Sequence, residues 1–272
     1  MVKKISVITV NLNNLDGLKR TMDSVLNQTY SDYEYVIVDG GSTDGSREYI
    51  EQYADKLAYW CSEADNGIYN AMNKAVSKAT GEYVCFMNSG DCFYSNTILE
   101  DIFSCEQTAD ILYGDVCRSK NGEKLSERKF PKQITAEQMF RGGITHQAIF
   151  SRRSLHLQHP YDENYKMIAD WNFLVRRLLD GCVFKHVGKV VCCYDITGYS
   201  CTTREKNDIH ERQFKKVLDE LFPESVQMDI NELIDLKNTD FSGIIRQTAQ
   251  MGIKGKIICI FAKIISKLPS IK

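Results

Sequence analysis

The sequence predicts an α/β protein in which helices cover both faces of a mostly parallel sheet and a helical C-terminal extension follows. Short β-branched runs alternate with segments of helical periodicity through the first half, which is typical of parallel sheets covered on both faces. No linker rich in Pro, Gly or Ser interrupts residues 1–205, and a long charged helical pattern begins near residue 203. We therefore expect one α/β domain at 1–205 and a helical extension at 206–272.

The first half contains four predicted strands and three predicted helices. Residues 5–10 form a compact β-branched run, and residues 15–26 carry apolar side chains near helical spacing. Residues 42–53 are predicted as a helix because Ser42 or Thr43 offers a side-chain hydroxyl for its N-cap. The other predicted elements are the strands 35–38, 57–61 and 83–87 and the helix 68–79.

The second half alternates less regularly, so its strands need not be parallel to the others. The predicted elements are the strands 110–118, 123–129 and 147–150, the helix 170–179, a strand pair around Gly188 in 183–194, and a charged helix at 203–221.

Composition and charge exclude several classes of protein. The net charge of −2 gives no electrostatic argument for nucleic acid as a partner. The longest apolar run, 257–262, is too short to span a bilayer, and the first ten residues resemble a strand more than a signal peptide. Several of the ten cysteines lie in apolar strand-like runs of a long chain without an export signal, so we expect buried, reduced thiols in a cytoplasmic protein. The absence of a CxxC pair argues against a zinc ribbon or a thioredoxin-type site. None of the five histidines has metal-ligand spacing, and we expect His156 and His159 at the surface.

Polar and acidic residues follow each of the four predicted strands of the first half. Asn11 and Asn13 follow the first strand, Asp39 the second, Asp65 the third, and the segment 88–91 the fourth. Ligands of open parallel sheets bind beyond the carboxyl ends of the strands. The recurrence of these residues at one edge therefore predicts a ligand site there.

The acids among them allow two interpretations each. Asp39 either caps a turn or accepts hydrogen bonds from the base or ribose of a nucleotide. Asp65 precedes the turn dipeptide Asn66-Gly67, so it is either a turn residue or a ligand contact. Asp91 is either an exposed loop acid or a ligand of a hard divalent cation. No GxGxxG or GxxxxGK[ST] pattern occurs, which argues against dinucleotide and P-loop sites.

Five segments between residue 5 and about residue 200 resemble the family 2 glycosyltransferases, inverting enzymes of the GT-A fold. They read ISVITVNLNN, NQTYSDYEYVIVDGGSTDGS, SEADNGIYNAMNKAVSKATGEYVCFMNSGD, HQAIFSRR and IADWNFLVRRLLDG. The second and third are long and specific, and the resemblance fades after about residue 205. It implies a GT-A type, Rossmann-like sheet with helices on both faces.

The resemblance also implies a role for individual residues. Asp91 matches the acid that binds Mg²⁺ or Mn²⁺ on the donor diphosphate, and Asp170 matches the catalytic base. The positions that match the nucleotide site are Asn11, Asn13, Asp39, Asp65 and Ser89. The positions that match the acceptor side are His146, Gln147 and Trp171.

Two departures from the family pattern concern the acids. Many members have Asp where this chain has Gly90, and some have Asp where it has Asn88, so Asp91 is the one carboxylate left in the metal motif. Ala169 stands where Glu often precedes the base. The resemblance therefore leaves open how strongly the protein binds a metal.

We expect an inverting glycosyltransferase that moves a sugar from a nucleoside diphosphate donor, a UDP-sugar by preference, to a hydroxyl of a surface-glycan or lipid-linked acceptor. Two alternatives remain. A nucleotidyltransferase that builds sugar nucleotides shares a similar sheet, but it typically opens with a Gly-rich basic loop where this chain has Asn11-Leu12-Asn13-Asn14. A catalytically silent nucleotide-sugar binding module is consistent with the reduced metal motif.

The C-terminal residues 252–272 contain five lysines and no acids. On a helical wheel their isoleucines, phenylalanine and leucine fall on one side, with lysines beside them. The segment either docks on the protein's own surface or lies in the plane of the inner membrane leaflet, near anionic headgroups. We favour the second interpretation, which predicts a cytoplasmic protein in peripheral contact with the plasma membrane.

Overall fold

The computed structural model describes residues 3–197 and 204–238. It divides the chain into two compact units, Met1–Leu221 and Phe222–Lys272. The basic segment 252–272 lies outside the described residues. In the described ranges, no helix combines the length and apolarity needed to cross a bilayer.

The first half of the sheet has the predicted parallel arrangement. Its strands are β1 (Ile5–Asn11), β2 (Tyr33–Asp39), β3 (Tyr59–Ser62) and β4 (Tyr83–Phe86), and its helices are α1 (Leu15–Leu26), α2 (Ser46–Glu51) and α3 (Ile68–Lys78). The strands pair in the order β3-β2-β1-β4, all parallel. All seven residues of β1 are buried, as expected for a central strand covered on both faces.

Helix α2 begins later than the N-cap prediction placed it. Its N-cap is Gly45, with φ of +94°, and the helix starts at Ser46. The hydroxyl of Ser42 instead donates to the Asp39 carboxylate at 2.5 Å. The prediction of a cap at Ser42 or Thr43 is therefore wrong, because Asp39 provides a stronger, charged acceptor for that hydroxyl.

The second half extends the same sheet with strands of both directions. Its elements are β5 (Cys92–Phe93), α4 (Ile98–Phe103), β6 (Ile111–Lys120), β7 (Glu123–Arg128), α5 (Ala136–Phe140), β8 (Ile149–Arg152), α6 (Arg153–Gln158), α7 (Ala169–Leu179) and β9 (Phe184–Asp195). Strand β8 is antiparallel to both β4 and β6, and β6 is parallel to β9. Strand β5 pairs antiparallel with β9, and β7 pairs antiparallel with β6. Within the described residues this makes one nine-stranded sheet, six strands of which share the direction of β1.

Strand β9 is one strand, and the predicted strand pair around Gly188 is wrong. Gly188 has a φ of +71° and lies where the β6–β9 register shifts, between the pairs Tyr113↔His186 and Asp115↔Val190. The extra residues of β9 form a bulge, which bends the strand without ending it.

Helix α8 (Arg204–Leu221) packs against α7 in the first compact unit. The rings of Trp171 and Phe214 lie 4.2 Å apart, and Arg176 pairs with Glu220 at 3.0 Å. The second unit contains α9 (Glu224–Asn238). The domain boundary at residues 205 and 206 remains a prediction.

Candidate active site at the carboxyl edge of the sheet

Asp39 ends β2 and is the centre of a buried polar cluster. Its carboxylate accepts from the Asn11 amide at 2.7 Å, from the Ser42 backbone N–H at 2.9 Å and hydroxyl at 2.5 Å, and from the Ser62 hydroxyl at 2.6 Å. Burial would raise the pKa of Asp39, but these hydrogen bonds outweigh it and lower that pKa. The amide oxygen of Asn11 is buried without a partner. The cluster therefore presents a charged carboxylate and a free acceptor side by side.

The three other predicted nucleotide-site residues lie in the loops that follow β1, β3 and β4. Asn13 has a φ of +49° and accepts from the Thr43 N–H at 2.9 Å. Asp65 accepts from the Gly67 N–H at 2.8 Å. Its other oxygen would lie 2.7 Å from a Cβ at Gly40, so a side chain at Gly40 would clash with Asp65. Ser89 donates through its hydroxyl to the Asn14 carbonyl, which fixes the end of β4 to the start of α1.

Asp91 follows β4 and is buried beneath the same edge. One carboxylate oxygen accepts from the Asp195 N–H at 2.9 Å and the other from the Gln147 side-chain amide at 3.1 Å. Burial raises the pKa of Asp91 to about 6, although both hydrogen bonds and the nearby His146 act in the opposite direction. At neutral pH the group is therefore largely ionised.

The donor set around Asp91 fits a hard cation. No group of three His, Cys, Asp or Glu side chains suited to a metal occurs in the described part of the chain. The side-chain oxygens of Asn88 and Gln147, however, are buried without hydrogen-bond partners. Carboxylate and amide oxygens are the ligands that Mg²⁺ and similar cations take, often with only one or two carboxylates and phosphate oxygens of the substrate.

Asp170 lies in the first turn of α7 and is held by two side chains. Tyr69 donates its hydroxyl to one carboxylate oxygen at 2.9 Å, and His146 Nδ1 lies 2.8 Å from the other. Burial would raise the pKa of Asp170, but the interactions with His146 and Tyr69 outweigh it and lower that pKa. The helix N-cap is Ile168, so Asp170 is not a capping residue.

His146 connects Asp170 to the end of β4. Its Nε2 lies 3.1 Å from the Asn88 amide nitrogen. When that amide donates to Nε2 of the neutral ring, Nδ1 carries the proton that Asp170 accepts. Burial would lower the pKa of His146, but Asp170 and Asp91 outweigh burial and raise it. A continuous hydrogen-bonded chain thus runs from Asn88 through His146 and Asp170 to Tyr69.

Two of the three predicted acceptor-side residues contact the acids of the site, and the third does not. Gln147 and His146 contact Asp91 and Asp170, as described above, but the Trp171 side chain points elsewhere. Its indole N–H donates to the Met139 carbonyl at 3.0 Å, and its ring packs on Phe214. The fold therefore brings the two polar acceptor-side residues to the cluster and leaves Trp171 in the helix packing.

His156 is buried, so its predicted surface position is wrong, whereas His159 is exposed as expected. The His156 ring stacks on Phe173 at 4.3 Å and pairs with the Ser151 hydroxyl at 2.7 Å. Its partners Ser151 and Phe173 also line a small pocket beside Asp170. The other lining residues are Phe86, His146, Ile149, Tyr161, Asp170 and Leu174.

Sequence reasoning missed three residues of this edge. Tyr69 contacts Asp170 from α3, and Asp195 ends β9 beside Asp91. Arg20 on α1 pairs with Asp195 at 3.4 Å. Asp195 lies at the carboxyl end of β9, which is parallel to β6. The rule that ligands bind beyond the carboxyl ends of parallel strands would have identified it, but the direction of β9 was not known from the sequence. Tyr69 carries no such signal in the sequence.

Comparisons with known proteins agree with this architecture. The family described as "Glycosyl transferase family 2" matches residues 6–168. A PGL/p-HBAD biosynthesis glycosyltransferase of Mycobacterium bovis is 32% identical over 240 residues, which cover 85% of this chain and 88% of that protein. An uncharacterized glycosyltransferase of Mycobacterium tuberculosis is 31% identical over 229 residues, or 76% of this chain and 84% of that protein.

Two solved structures share the fold. S. aureus TarS 1-349 in complex with UDP-GlcNAc has a TM-score of 0.64 at 19% identity and covers 95% of this chain and 79% of that chain. Mannosyltransferase PcManGT from Pyrobaculum calidifontis, in complex with GDP-Man and Mn²⁺, has a TM-score of 0.61 at 17% identity over 97% and 80%. The expected GT-A-like α/β fold is thereby confirmed. Given the family match over more than half of its length and the relatives above 30% identity, the chain belongs to glycosyl transferase family 2.

Proposed function

We propose that this glycosyltransferase inverts the anomeric carbon as it moves a sugar from a UDP-sugar to a hydroxyl of a surface-glycan or lipid-linked acceptor. The observation that carries the proposal is the position of Asp170. A carboxylate with a lowered pKa lies on the same sheet edge as the Asp39 cluster, linked to the end of β4 by one histidine.

The Asp39 cluster is the proposed site of the nucleotide. Asp39 and the unpartnered Asn11 oxygen accept from N–H and O–H groups, which is what a base and ribose offer. Asn13 and Asp65 border this cluster, and Ser89 lies after β4, where its backbone N–H donates to the Val10 carbonyl. Structures of the same fold hold UDP, UDP-GlcNAc or GDP-Man, and this supports a nucleoside diphosphate donor here.

Asp170 is the proposed general base. Its carboxylate takes the proton of the acceptor hydroxyl while the acceptor oxygen bonds to the anomeric carbon and the bond from that carbon to the diphosphate breaks. This single displacement inverts the carbon and needs no enzyme nucleophile. Tyr69 and His146 orient the carboxylate, and His146 and Gln147 lie on the proposed acceptor side.

Mg²⁺ or Mn²⁺ is the proposed cofactor, with Asp91 as its ligand. A divalent cation there would act as a Lewis acid that stabilises the negative charge of the departing diphosphate. The Mn²⁺ and GDP-Man in the mannosyltransferase structure support this proposal. We further propose a cytoplasmic location, with residues 252–272 in peripheral contact with the inner face of the plasma membrane.

A screen of nucleotide-sugar donors tests the proposed function. We expect metal-dependent release of UDP and thermal stabilisation by a UDP-sugar. Release of pyrophosphate from UTP and a sugar phosphate would identify a nucleotidyltransferase instead. Tight donor binding without turnover, across a range of glycan and lipid-linked acceptors, would identify a binding module.

A further inference from the structure

We propose that the hairpin formed by β6 and β7 docks on an anionic lipid surface through a cluster of unpaired cationic side chains. Residues 118–132 comprise the end of β6, the turn, β7 and the residues up to 132, and we call them the basic hairpin. This inference goes beyond the proposed function, because it assigns a second lipid-binding surface in a different part of the chain from 252–272. Its test needs neither a donor nor turnover.

The basic hairpin carries a concentrated positive charge. It contains six basic and two acidic residues, a net charge of +4, whereas the whole chain has a net charge of −2. All six basic residues are exposed: Arg118, Lys120, Lys124, Arg128, Lys129 and Lys132. A local field of this kind attracts negatively charged partners even though the chain as a whole is slightly acidic.

The protein does not neutralise these cations itself. In the part of the chain that the structure describes, none of the six has an ion-pair partner, whereas the exposed Arg47 on α2 pairs with Glu51 at 3.1 Å. Lys124 and Arg128 lie over aromatic rings instead. A ring attracts a cation but carries no net charge to cancel it, so the positive charge of the hairpin is left for a partner.

Three of the cations share one face of the hairpin. Side chains alternate along a strand, so Arg118 and Lys120 of β6 lie on the same face, while Ser119 between them is buried on the other. The β6–β7 register places Arg128 on the face of Arg118 as well, because residues opposite each other in an antiparallel pair share a face. Glu123 lies opposite Lys120, which leaves this face an excess of positive charge.

An exposed leucine in the same hairpin favours a lipid surface over a soluble polyanion. The β6–β7 register shifts between Arg118 and Ser119, and Leu125 is the extra residue of β7 at this bulge. Its side chain is 54% exposed. An apolar side chain among cations suits the boundary between lipid headgroups and acyl chains, whereas a soluble polyanion offers it no apolar partner.

The basic hairpin lies at the ligand edge of the sheet. Its turn follows the carboxyl end of β6, which shares the direction of β1. The Asn121 N–H donates to the Asp195 carboxylate at 3.1 Å, and the Asp195 N–H donates to Asp91. A lipid surface on the hairpin therefore lies beside this edge. One electrostatic contact is weak and reversible, and stable attachment takes two, so the hairpin acts together with the proposed contact of 252–272.

Co-sedimentation of the full-length protein with vesicles at low ionic strength tests the proposal. The vesicles contain phosphatidylcholine and phosphatidylglycerol in equal amounts, and pure phosphatidylcholine vesicles report binding without negative charge. One cation near an anionic membrane is worth roughly a fivefold change in affinity. We therefore expect the hairpin variant, which combines Arg118→Gln, Lys120→Gln and Arg128→Gln, to bind the anionic vesicles at least roughly tenfold more weakly.

The matched control combines Lys56→Gln, Lys78→Gln and Lys166→Gln. These lysines are exposed and lie outside the hairpin, so the control loses the same charge and should bind the vesicles as the wild type does. Leu125→Ser should weaken vesicle binding severalfold without any change of charge, because serine contributes no apolar contact with the lipid.

Equal vesicle binding by the hairpin variant and the control would overturn the proposal and leave 252–272 as the lipid contact. Unchanged vesicle binding by Leu125→Ser, together with loss of binding to soluble heparin in the hairpin variant, would overturn it too, since the partner is then a soluble polyanion. Far-UV circular dichroism checks folding. If the hairpin variant unfolds, the single substitution Arg118→Gln repeats the measurement.

Release of UDP from UDP-sugars, measured without vesicles, separates this inference from the proposed function. The hairpin variant should match the wild type there, because its substitutions lie outside the Asp39 cluster and the hydrogen-bonded chain of Asp170. If UDP is released and the hairpin substitutions leave vesicle binding unchanged, only this inference fails. If no donor is turned over while vesicle binding changes as expected, the proposed function fails and the inference stands.

Discussion

Asp170 owes its chemistry to two side chains that reach it from distant parts of the chain. Tyr69 is 101 residues away in sequence and His146 is 24 residues away, yet each contacts one oxygen of the carboxylate. Both partners stabilise the ionised form, which a general base requires. The carboxylate is about one fifth exposed, so an acceptor hydroxyl can still reach it.

At the scale of single residues, we predict that Asp170→Asn lowers turnover by roughly a hundredfold or more, the usual contribution of a general base. UDP binding should be retained, because the Asp39 cluster is untouched. Steady-state kinetics and calorimetry measure the two effects. Asp55→Asn, which changes an exposed carboxylate in a 3-10 turn, serves as the control, and equal activity of both variants would refute the role of Asp170.

Tyr69→Phe should shift the pH dependence of the reaction. The Tyr69 hydroxyl helps to lower the pKa of Asp170, so its removal raises that pKa. Because the ionised carboxylate is the base, the acid limb of the kcat profile should move to higher pH in the variant. An unchanged acid limb would show that Tyr69 does not influence the reacting group.

At the scale of elements, the close approach of β6 and β9 depends on Gly114. A Cβ at this position would lie 2.5 Å from the Lys189 carbonyl and 2.6 Å from the Val191 side chain. The first of these atoms is backbone and cannot turn away. The β6–β9 pairing in turn places Asp195 beside Asp91.

Gly114→Ala should therefore destabilise the protein by about 1–3 kcal/mol, the usual cost of overpacking. Urea denaturation followed by circular dichroism measures this change. Ser126→Ala on the exposed strand β7 is the control, and we expect its free energy of unfolding to stay within about 0.5 kcal/mol of wild type. Equal stability of the two variants would contradict the steric argument.

At the scale of the whole molecule, a buried histidine couples stability to pH. Burial lowers the pKa of His156 to about 3, below its ordinary value of 6.5, with a smaller contribution from Arg177. Between about pH 6.5 and pH 3, the His156 side chain therefore binds a proton in the unfolded chain but not in the native protein. Stability from this group is complete above about pH 6.5 and is lost as the pH falls toward 3.

His156→Phe should flatten this dependence. A phenyl ring can keep the stacking on Phe173 and binds no proton, so the loss of stability between pH 6.5 and 4.5 should be smaller by about 2–3 kcal/mol. Urea denaturation at several pH values measures it. The exposed His159→Phe is the control, and the same pH slope in both variants would exclude His156 as the cause.

The basic segment 252–272 leads to a prediction about the binding of the whole chain to membranes. With five lysines and no acids, the segment should bind anionic liposomes at low salt and release them as salt screens the charges. Deletion of 252–272 should abolish flotation with such liposomes. If full-length and truncated proteins remain equally in the soluble fraction, the membrane contact is wrong.

The sequence by itself predicted the presence of the four strands and three helices of the first half and the edge of the sheet at which their polar strand ends meet. Each of β1, β2 and β4 is a short apolar run with a polar residue at its end, and this local pattern is readable without any partner. Parallel strands align their carboxyl ends, so Asn11, Asp39 and Asp91 could be assigned to one edge before any contact was known.

Only the tertiary structure decided how those residues work together. The contact of Tyr69 with Asp170, the direction of β9 and the burial of His156 all depend on which segments lie side by side in space. The Ser42 hydroxyl, a good cap by sequence, bonds to Asp39 because folding brings a charged acceptor within reach. Such pairings join residues far apart in the chain, and a local periodicity carries no information about them.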